Sequence, residues 1–203
     1  KFVECLVNRG AEINRSNNYV ETPLYAASSN GHEKIVECLV KYGAEINRVD
    51  NYGRTPLYTA SSKGYEKTVE YLMKCGADVN RSDNGGYTPL CAASNNGDEK
   101  IVEYLVKHGA EINSADKYGW TPLHAASSRG HEKIVECLVK SGAEINGGYK
   151  CDRTPLFMAS KQGREKVVEY LVKSGAEVNL ADYYDQTPVY VASERNYEKI
   201  VEC

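Results

Sequence analysis

Leucine holds one position in five successive stretches of the chain, Leu39, Leu72, Leu105, Leu138 and Leu171, each 33 residues after the one before. Around each leucine, apolar residues recur at helical spacing. In the stretch that begins at Glu66, Val69, Leu72 and Met73 share one face while Glu70 and Lys74 share another. This predicts a short amphipathic helix, closed by Gly76, a residue suited to the left-handed position just past a helix end. A shorter apolar run, Leu57, Ala60 and Ser61, precedes it and is introduced by Thr55-Pro56. Thr predicts an N-cap there, and Pro fits the first helical position, where its missing N–H costs nothing. Gly64 separates the two helices, and Asp50-Asn51-Tyr52-Gly53 ahead of them carries a turn signature.

The same Thr-Pro pair recurs at residues 22, 55, 88, 121, 154 and 187, always 33 residues on, with no insertion or deletion. Strict self-similarity at such a period predicts a stacked solenoid in which each unit touches its neighbours. The predicted helices are only about eight to ten residues long, shorter than helices that persist alone in water. Each unit therefore has to bury its apolar face on the next. Glu37/Lys41, Glu70/Lys74, Glu103/Lys107, Glu136/Lys140 and Glu169/Lys173 place Glu four residues before Lys on the outer face of the second helices, a favourable order on a solvated surface.

Composition adds bounds. A formal net charge of −3, with 26% charged residues of both signs, gives no field that would recruit nucleic acid or anionic lipid. No apolar run approaches the ~18 residues of a membrane span, and Lys1-Phe2-Val3 reads as repeat sequence rather than as a signal peptide. Of the seven cysteines, Cys5, Cys38, Cys137 and Cys203 share a column with Tyr71, Tyr104 and Tyr170. Stacked helices lie ~8–10 Å apart, beyond the ~7 Å Cα separation that a disulfide tolerates. An odd number of scattered thiols points to a reducing, intracellular, cytoplasmic setting.

Chemistry is sparse. His32 and His131 share a column with Tyr65, Asp98, Arg164 and Tyr197, which reads as surface. Cys91 and His124 lie one repeat apart, about 10 Å by helix spacing, where a nucleophile and its base need about 3 Å. Cys-x-x-Cys and His-x-x-x-His are absent, and the glycine pairs at 85–86 and 147–148 fall in turns. No catalytic, cofactor-binding or metal-binding residue is expected. Asn14 and Asn80 match the glycosylation pattern but occupy a structural asparagine column with Asn47, Asn113, Asn146 and Asn179.

Thr-Pro-Leu-His-Ala-Ala at 121–126, followed by Gly130-His131-Glu132-Lys133-Ile134-Val135-Glu136 and Gly142-Ala143-Glu144-Ile145-Asn146, resembles the ankyrin repeat, and the likeness recurs along the whole chain. The resemblance implies an all-α solenoid with β-hairpin fingers, built of stacked helix-turn-helix repeats. Residues 1–203 then form a single array, with a partial repeat at 1–16, complete repeats at 17–49, 50–82, 83–115, 116–148 and 149–181, and a partial repeat at 182–203. Lys1 and Cys203 both align within a second helix, and no polar end cap is present, so a longer protein is expected.

The units depart from their own pattern in places. The finger-tip Gly becomes Val20, Asp152 and Asp185, and a β-branched residue there has to adopt another turn or carry strain. The Gly147-Gly148-Tyr149 finger lacks the usual opening Asp and is expected to be the loosest. Only His124 keeps the motif histidine. Tyr25, Tyr58, Cys91, Phe157 and Tyr190 replace it, and the Thr–His hydrogen bonding that the resemblance implies is expected to fail at Cys91 and Phe157. Thr59 and Thr68 mark the unit 50–82 as the least hydrophobic core.

Finger positions scatter while core columns stay constant. Tyr52, Arg54, Tyr87, Tyr118 and Trp120 lie on successive fingers, and Trp, Tyr and Arg are the residues enriched at binding hot spots. Lys117, Arg129, Lys150, Arg153 and Lys161 make the same region locally basic. The sequence thus points to a non-enzymatic scaffold, a monomer, that binds a protein with an acidic and apolar segment through Tyr52, Arg54, Tyr87, Tyr118, Trp120 and Arg153. Membranes and nucleic acid are not expected partners. An interaction arm of a larger enzyme or channel is the alternative, and a purely architectural spacer is a third.

Overall fold

The structure is a computed structural model that describes residues 2–202. Among these residues there are thirteen helices, α1 (Phe2–Asn8), α2 (Pro23–Ser29), α3 (Glu33–Lys41), α4 (Pro56–Ser62), α5 (Glu66–Lys74), α6 (Pro89–Asn96), α7 (Glu99–Lys107), α8 (Pro122–Arg129), α9 (Glu132–Lys140), α10 (Pro155–Lys161), α11 (Glu165–Lys173), α12 (Pro188–Glu194) and α13 (Glu198–Val201). The even-numbered helices pack on one another in one row and the odd-numbered ones in a second, and from α2 onward each helix also packs on its partner in the pair. The result is an α solenoid.

Local chemistry sets each boundary. Thr55 is extended, with φ −85° and ψ 164°, and its hydroxyl oxygen accepts the Tyr58 N–H at 3.0 Å, while Pro56 opens α4. The other five Thr-Pro pairs cap in the same way. Gly64 and Gly76 follow α4 and α5 with φ of +77° and +90°, the left-handed conformation in which glycine meets no steric penalty. The helices of this pair have seven and nine residues, so their stability comes from packing. Leu24, Leu57, Leu90, Leu123 and Leu156 from the first row meet Val69, Leu72, Leu105, Leu138 and Leu171 from the second in one continuous buried core.

The histidine-bearing column that reads as surface in the sequence is a packing column. The Tyr65 ring lies so close to Gly31 that a Cβ there would sit 2.6 Å from it. His131 covers Gly97, and Arg164 covers Gly130, in the same manner. His131 Nε2 donates to the Asn95 carbonyl at 3.3 Å, and Arg164 Nε donates to the Ser128 carbonyl at 3.1 Å. These donors serve carbonyls at the end of the preceding first helix, where orphan acceptors and the helix dipole both favour them. The asparagine column is structural, as its position suggests. Asn47 Oδ1 accepts the Asp78 N–H at 2.9 Å and its Nδ2 donates to the Gly76 carbonyl at 3.3 Å, and Asn14, Asn80 and Asn113 repeat the clamp.

Thr68 and Thr59 part company. Thr68 is 1% exposed, and its hydroxyl meets no hydrogen-bond partner among the described residues, at a position where Ile101 and Ile134 are equally buried. Thr68→Ile removes an orphan hydroxyl and adds apolar surface, and is expected to stabilise the protein by about 1 kcal/mol. Thermal denaturation would show it as a rise in Tm, and a fall would mean that the hydroxyl has a partner. Thr59 is not a weak point of the same kind, because its hydroxyl faces that of Tyr25.

Cys5, Cys38, Cys75, Cys91, Cys137 and Cys151 are free thiols, and Cys203 lies outside the described residues. Burial pushes the Cys91 thiol up to about 12, even though the Tyr87 hydroxyl donates to its sulfur. Alkylation of the native protein, read by mass spectrometry, is therefore expected to label exposed Cys5 first and Cys91 last. Early modification of Cys91 would contradict that burial.

Candidate functional site: the finger row

Ahead of every Thr-Pro pair the chain makes a tight projecting turn. Among the described residues these turns contain no strand. Their only recorded bridge joins Tyr149 and Arg153, so the expected β-hairpins are present as turns held by a side chain. Asp50 shows how. Its Oδ1 accepts the N–H groups of Tyr52 and Arg54, both at 2.9 Å, and its own N–H donates to the Arg54 carbonyl at 3.1 Å. The carboxylate takes the place of a ladder, as in an Asx turn. Asp83, Asp116 and Asp182 do the same, and Asn17 does so through its amide oxygen.

Tyr149 has no carboxylate to offer. The finger expected to be the loosest is the one whose ends exchange both backbone bonds, Tyr149 N–H to Arg153 O at 2.8 Å and Arg153 N–H to Tyr149 O at 2.7 Å. It turns through Cys151 and Asp152 with φ of +65° and +60°. Val20 keeps the ordinary turn at φ +63° and carries the strain of a β-branched residue in that region.

One backbone bond ties each finger to the next. Asn84 N–H donates to Tyr52 O at 2.8 Å, Lys117 N–H to Gly85 O at 3.0 Å, and Lys150 N–H to Tyr118 O at 3.0 Å. The tips are thereby held in register. Tyr52 and Tyr118, 65% and 64% exposed, stand out from this row, as do Tyr19, Tyr183 and Tyr184.

The other candidate residues are more engaged. Trp120 and Tyr87 are half-buried. The Trp120 ring meets Tyr149 edge-on at 4.5 Å, and its indole N–H is buried without an acceptor among the described residues. Arg54 grips its own finger's Asp50, Nε to Oδ2 at 2.8 Å, and lies 4.8 Å from the Tyr52 ring centre. Arg153 reaches across to Asp182 at 3.0 Å, because its own finger has Tyr149 in place of Asp. Both arginines serve as finger struts, a role that the sequence column does not disclose.

The residues that replace the motif histidine follow the same logic. The Tyr25 hydroxyl faces Asp50, and the Tyr58 hydroxyl faces Asp83; burial, reinforced by Asp50, pushes the Tyr25 hydroxyl up to about 12. His124 faces no finger carboxylate of the next turn, so its Nε2 donates to the Arg153 carbonyl at 3.1 Å while its Nδ1 bonds the Thr121 hydroxyl at 2.8 Å. Burial drives the His124 pKa down to about 4, against the pull of the Arg153 and Gly147 carbonyls, so the ring is neutral near pH 7. Phe157 has no donor, and Arg153 supplies one to Asp182 in its place.

The opposite face carries its charges in pairs. Lys67, Lys100, Lys133, Lys166 and Lys199 reach Glu33, Glu66, Glu99, Glu132 and Glu165 of the preceding unit at 3.0–3.6 Å. An apolar hollow of about 230 Å³ beside Leu156, Val172, Val189 and Val201 is lined by no titratable side chain. Among the described residues no three His, Cys, Asp or Glu side chains gather as metal ligands, and no helix is long and apolar enough to cross a membrane.

No curated protein matches the chain. The family model for ankyrin repeats, in three copies, matches residues 1–83, 81–148 and 146–203, which together span the whole sequence. Its repeats are in general modules for protein–protein interaction and typically non-enzymatic. With the stacked helix pairs and the registered turns between them, this match establishes that the chain belongs to the ankyrin repeat family.

Proposed function

We propose that this protein is a non-enzymatic interaction scaffold whose partner, another protein, lies along the finger row and the adjoining first-helix surface. One observation carries the reading: large aromatic side chains stand exposed at finger tips that backbone hydrogen bonds hold in register. Such side chains offer apolar area at little entropic cost and form the usual anchors of interfaces. Tyr52, Tyr87, Tyr118 and Trp120 are the contact residues, with Arg54 and Arg153 as cationic struts beside them. The array 1–203 acts as one unit and a monomer, in which each complete repeat from 17–49 to 149–181 contributes one finger.

The partner segment is acidic and apolar. Arg153 and Lys161 both lie over the Phe157 ring, at 5.4 and 5.9 Å, and burial together with neighbouring Arg153 and Arg195 lowers the Lys161 pKa. That excess of positive charge favours an incoming carboxylate. An intracellular, cytoplasmic setting fits the scattered thiols. Affinity capture followed by mass spectrometry tests the reading. A partner retained by the wild type and by Glu136→Ala but lost from Trp120→Ala supports it, and the reverse pattern moves the interface to the opposite face.

A further inference from the structure

Four fingers open on aspartate, and in each of them Oδ1 is occupied by two finger amides. The rest of the carboxylate is served in three of the four. Asp50 Oδ2 receives Arg54 Nε at 2.8 Å and Nη2 at 2.6 Å, and Asp182 Oδ2 receives Arg153 Nε at 3.0 Å. Asp83 faces the Tyr58 hydroxyl. At Asp116 the three positions that provide these donors hold other residues. Cys91 stands where Tyr58 stands, Trp120 stands where Arg54 stands, and Tyr87, 29 residues before Asp116 as Arg153 is before Asp182, stands where Arg153 stands. Among the described residues no side chain donates to Asp116. The short Cys91 side chain instead accepts from Tyr87, and Trp120 packs on Tyr149. The Asp116 carboxylate is partly exposed, and its charge is felt by Tyr87, Cys91 and His124 around it.

We propose that Asp116, flanked by Tyr87 and Trp120, is the seat of an arginine from the partner protein, accepted in trans where neighbouring fingers use an arginine of their own. The protein supplies the precedent twice, at Asp50 and Asp182. A guanidinium suits the seat better than an ammonium: its planar fork bonds a carboxylate while its face stacks on an aromatic ring, as Arg54 does with Asp50 and Tyr52. The partner segment then combines an arginine with its acidic residues, and the seat fixes its register on the array. This inference rests on the finger row being the partner face.

Trp120 is the single tryptophan of the chain, so its emission reports on the seat directly. The probe is acetyl-Gly-Arg-Gly-amide, with its citrulline and lysine counterparts, titrated at low salt. The arginine peptide is expected to change the emission saturably and to bind at least about tenfold more tightly than the citrulline peptide, which lacks the charge. Asp116→Asn should reduce that binding by a similar factor. The turn survives this change, because Asn17 holds its own finger through the Tyr19 and Glu21 amides at 2.9 and 3.0 Å. Cys91→Tyr should also weaken the peptide by filling the seat from within. Equal binding of the citrulline peptide, undiminished binding to Asp116→Asn, or no saturable response to the arginine peptide would each overturn the proposal. In the captured complex, a partner lost from Trp120→Ala but kept by Asp116→Asn removes the arginine seat alone, whereas one kept by both variants removes the finger-row reading itself.

Discussion

Trp120→Ala should weaken partner binding at least about 30-fold, roughly 2 kcal/mol, the usual loss when a central aromatic anchor is truncated. The residue sits mid-row between exposed Tyr118 and the Tyr149 ring. The change also removes the edge-on contact with Tyr149, worth about 0.5–1.5 kcal/mol beyond simple burial. Some loss of stability is therefore expected alongside the loss of binding. Tyr118→Ala separates the two effects. Tyr118 is 64% exposed and among the described residues its ring contact is Lys150 at 5.3 Å, so the change should lower affinity while leaving Tm almost unchanged. Glu136→Ala breaks only a solvated pair with Lys140 at 3.2 Å, worth well under about 1 kcal/mol, and should change neither. Added salt should slow association, since the acidic partner approaches a basic surface. Binding measured by titration calorimetry on the three variants checks these outcomes, and an unchanged Kd for Trp120→Ala would place the anchor elsewhere.

Asp182→Ala should cost about 2–3 kcal/mol of stability, because it strands three donors at once. The Tyr184 and Gln186 amides and Arg153 Nε all converge on this carboxylate, whose side chain is fully buried, while Arg153 retains partial access to water. Burial by itself would raise the Asp182 carboxyl, but the Tyr184 amide, the Arg153 guanidinium and the Gln186 amide together outweigh it and hold the group below the ordinary carboxylate range. The sign of the pH dependence follows. A depressed native pKa stabilises the fold at every pH above the unfolded value of about 3.9, and the benefit disappears as pH falls from there through the native value. The difference between wild type and Asp182→Ala should thus be constant above about pH 5 and shrink in stronger acid. Thermal melts from pH 3 to 7 would show it, and a gap that widens in acid would contradict the assignment. Hydrogen exchange should place the loss at residues 182–187, since each finger touches only its neighbours.

The period, the start and stop of nearly every helix, and the core columns are legible in the sequence. These are local properties: a Thr hydroxyl caps an amide three residues on, Pro56 has nothing to lose at the first turn, and Leu72 faces inward because helical spacing puts it there. It also exposed the places where the pattern breaks, such as Val20, whose strain follows from its side chain alone. Stacking decided the rest. Arg54 and Arg153 occupy the same column, yet one grips an Asp four residues away and the other an Asp 29 residues away, because the second arginine's own finger begins with Tyr149. His131 and Arg164 read as surface until Asn95 and Ser128, each 36 residues earlier, are seen to need their donors. Trp120 reads as a free contact residue until Tyr149 arrives from the next finger. In each case the deciding partner lies about one repeat away, and only the packed array brings it within reach.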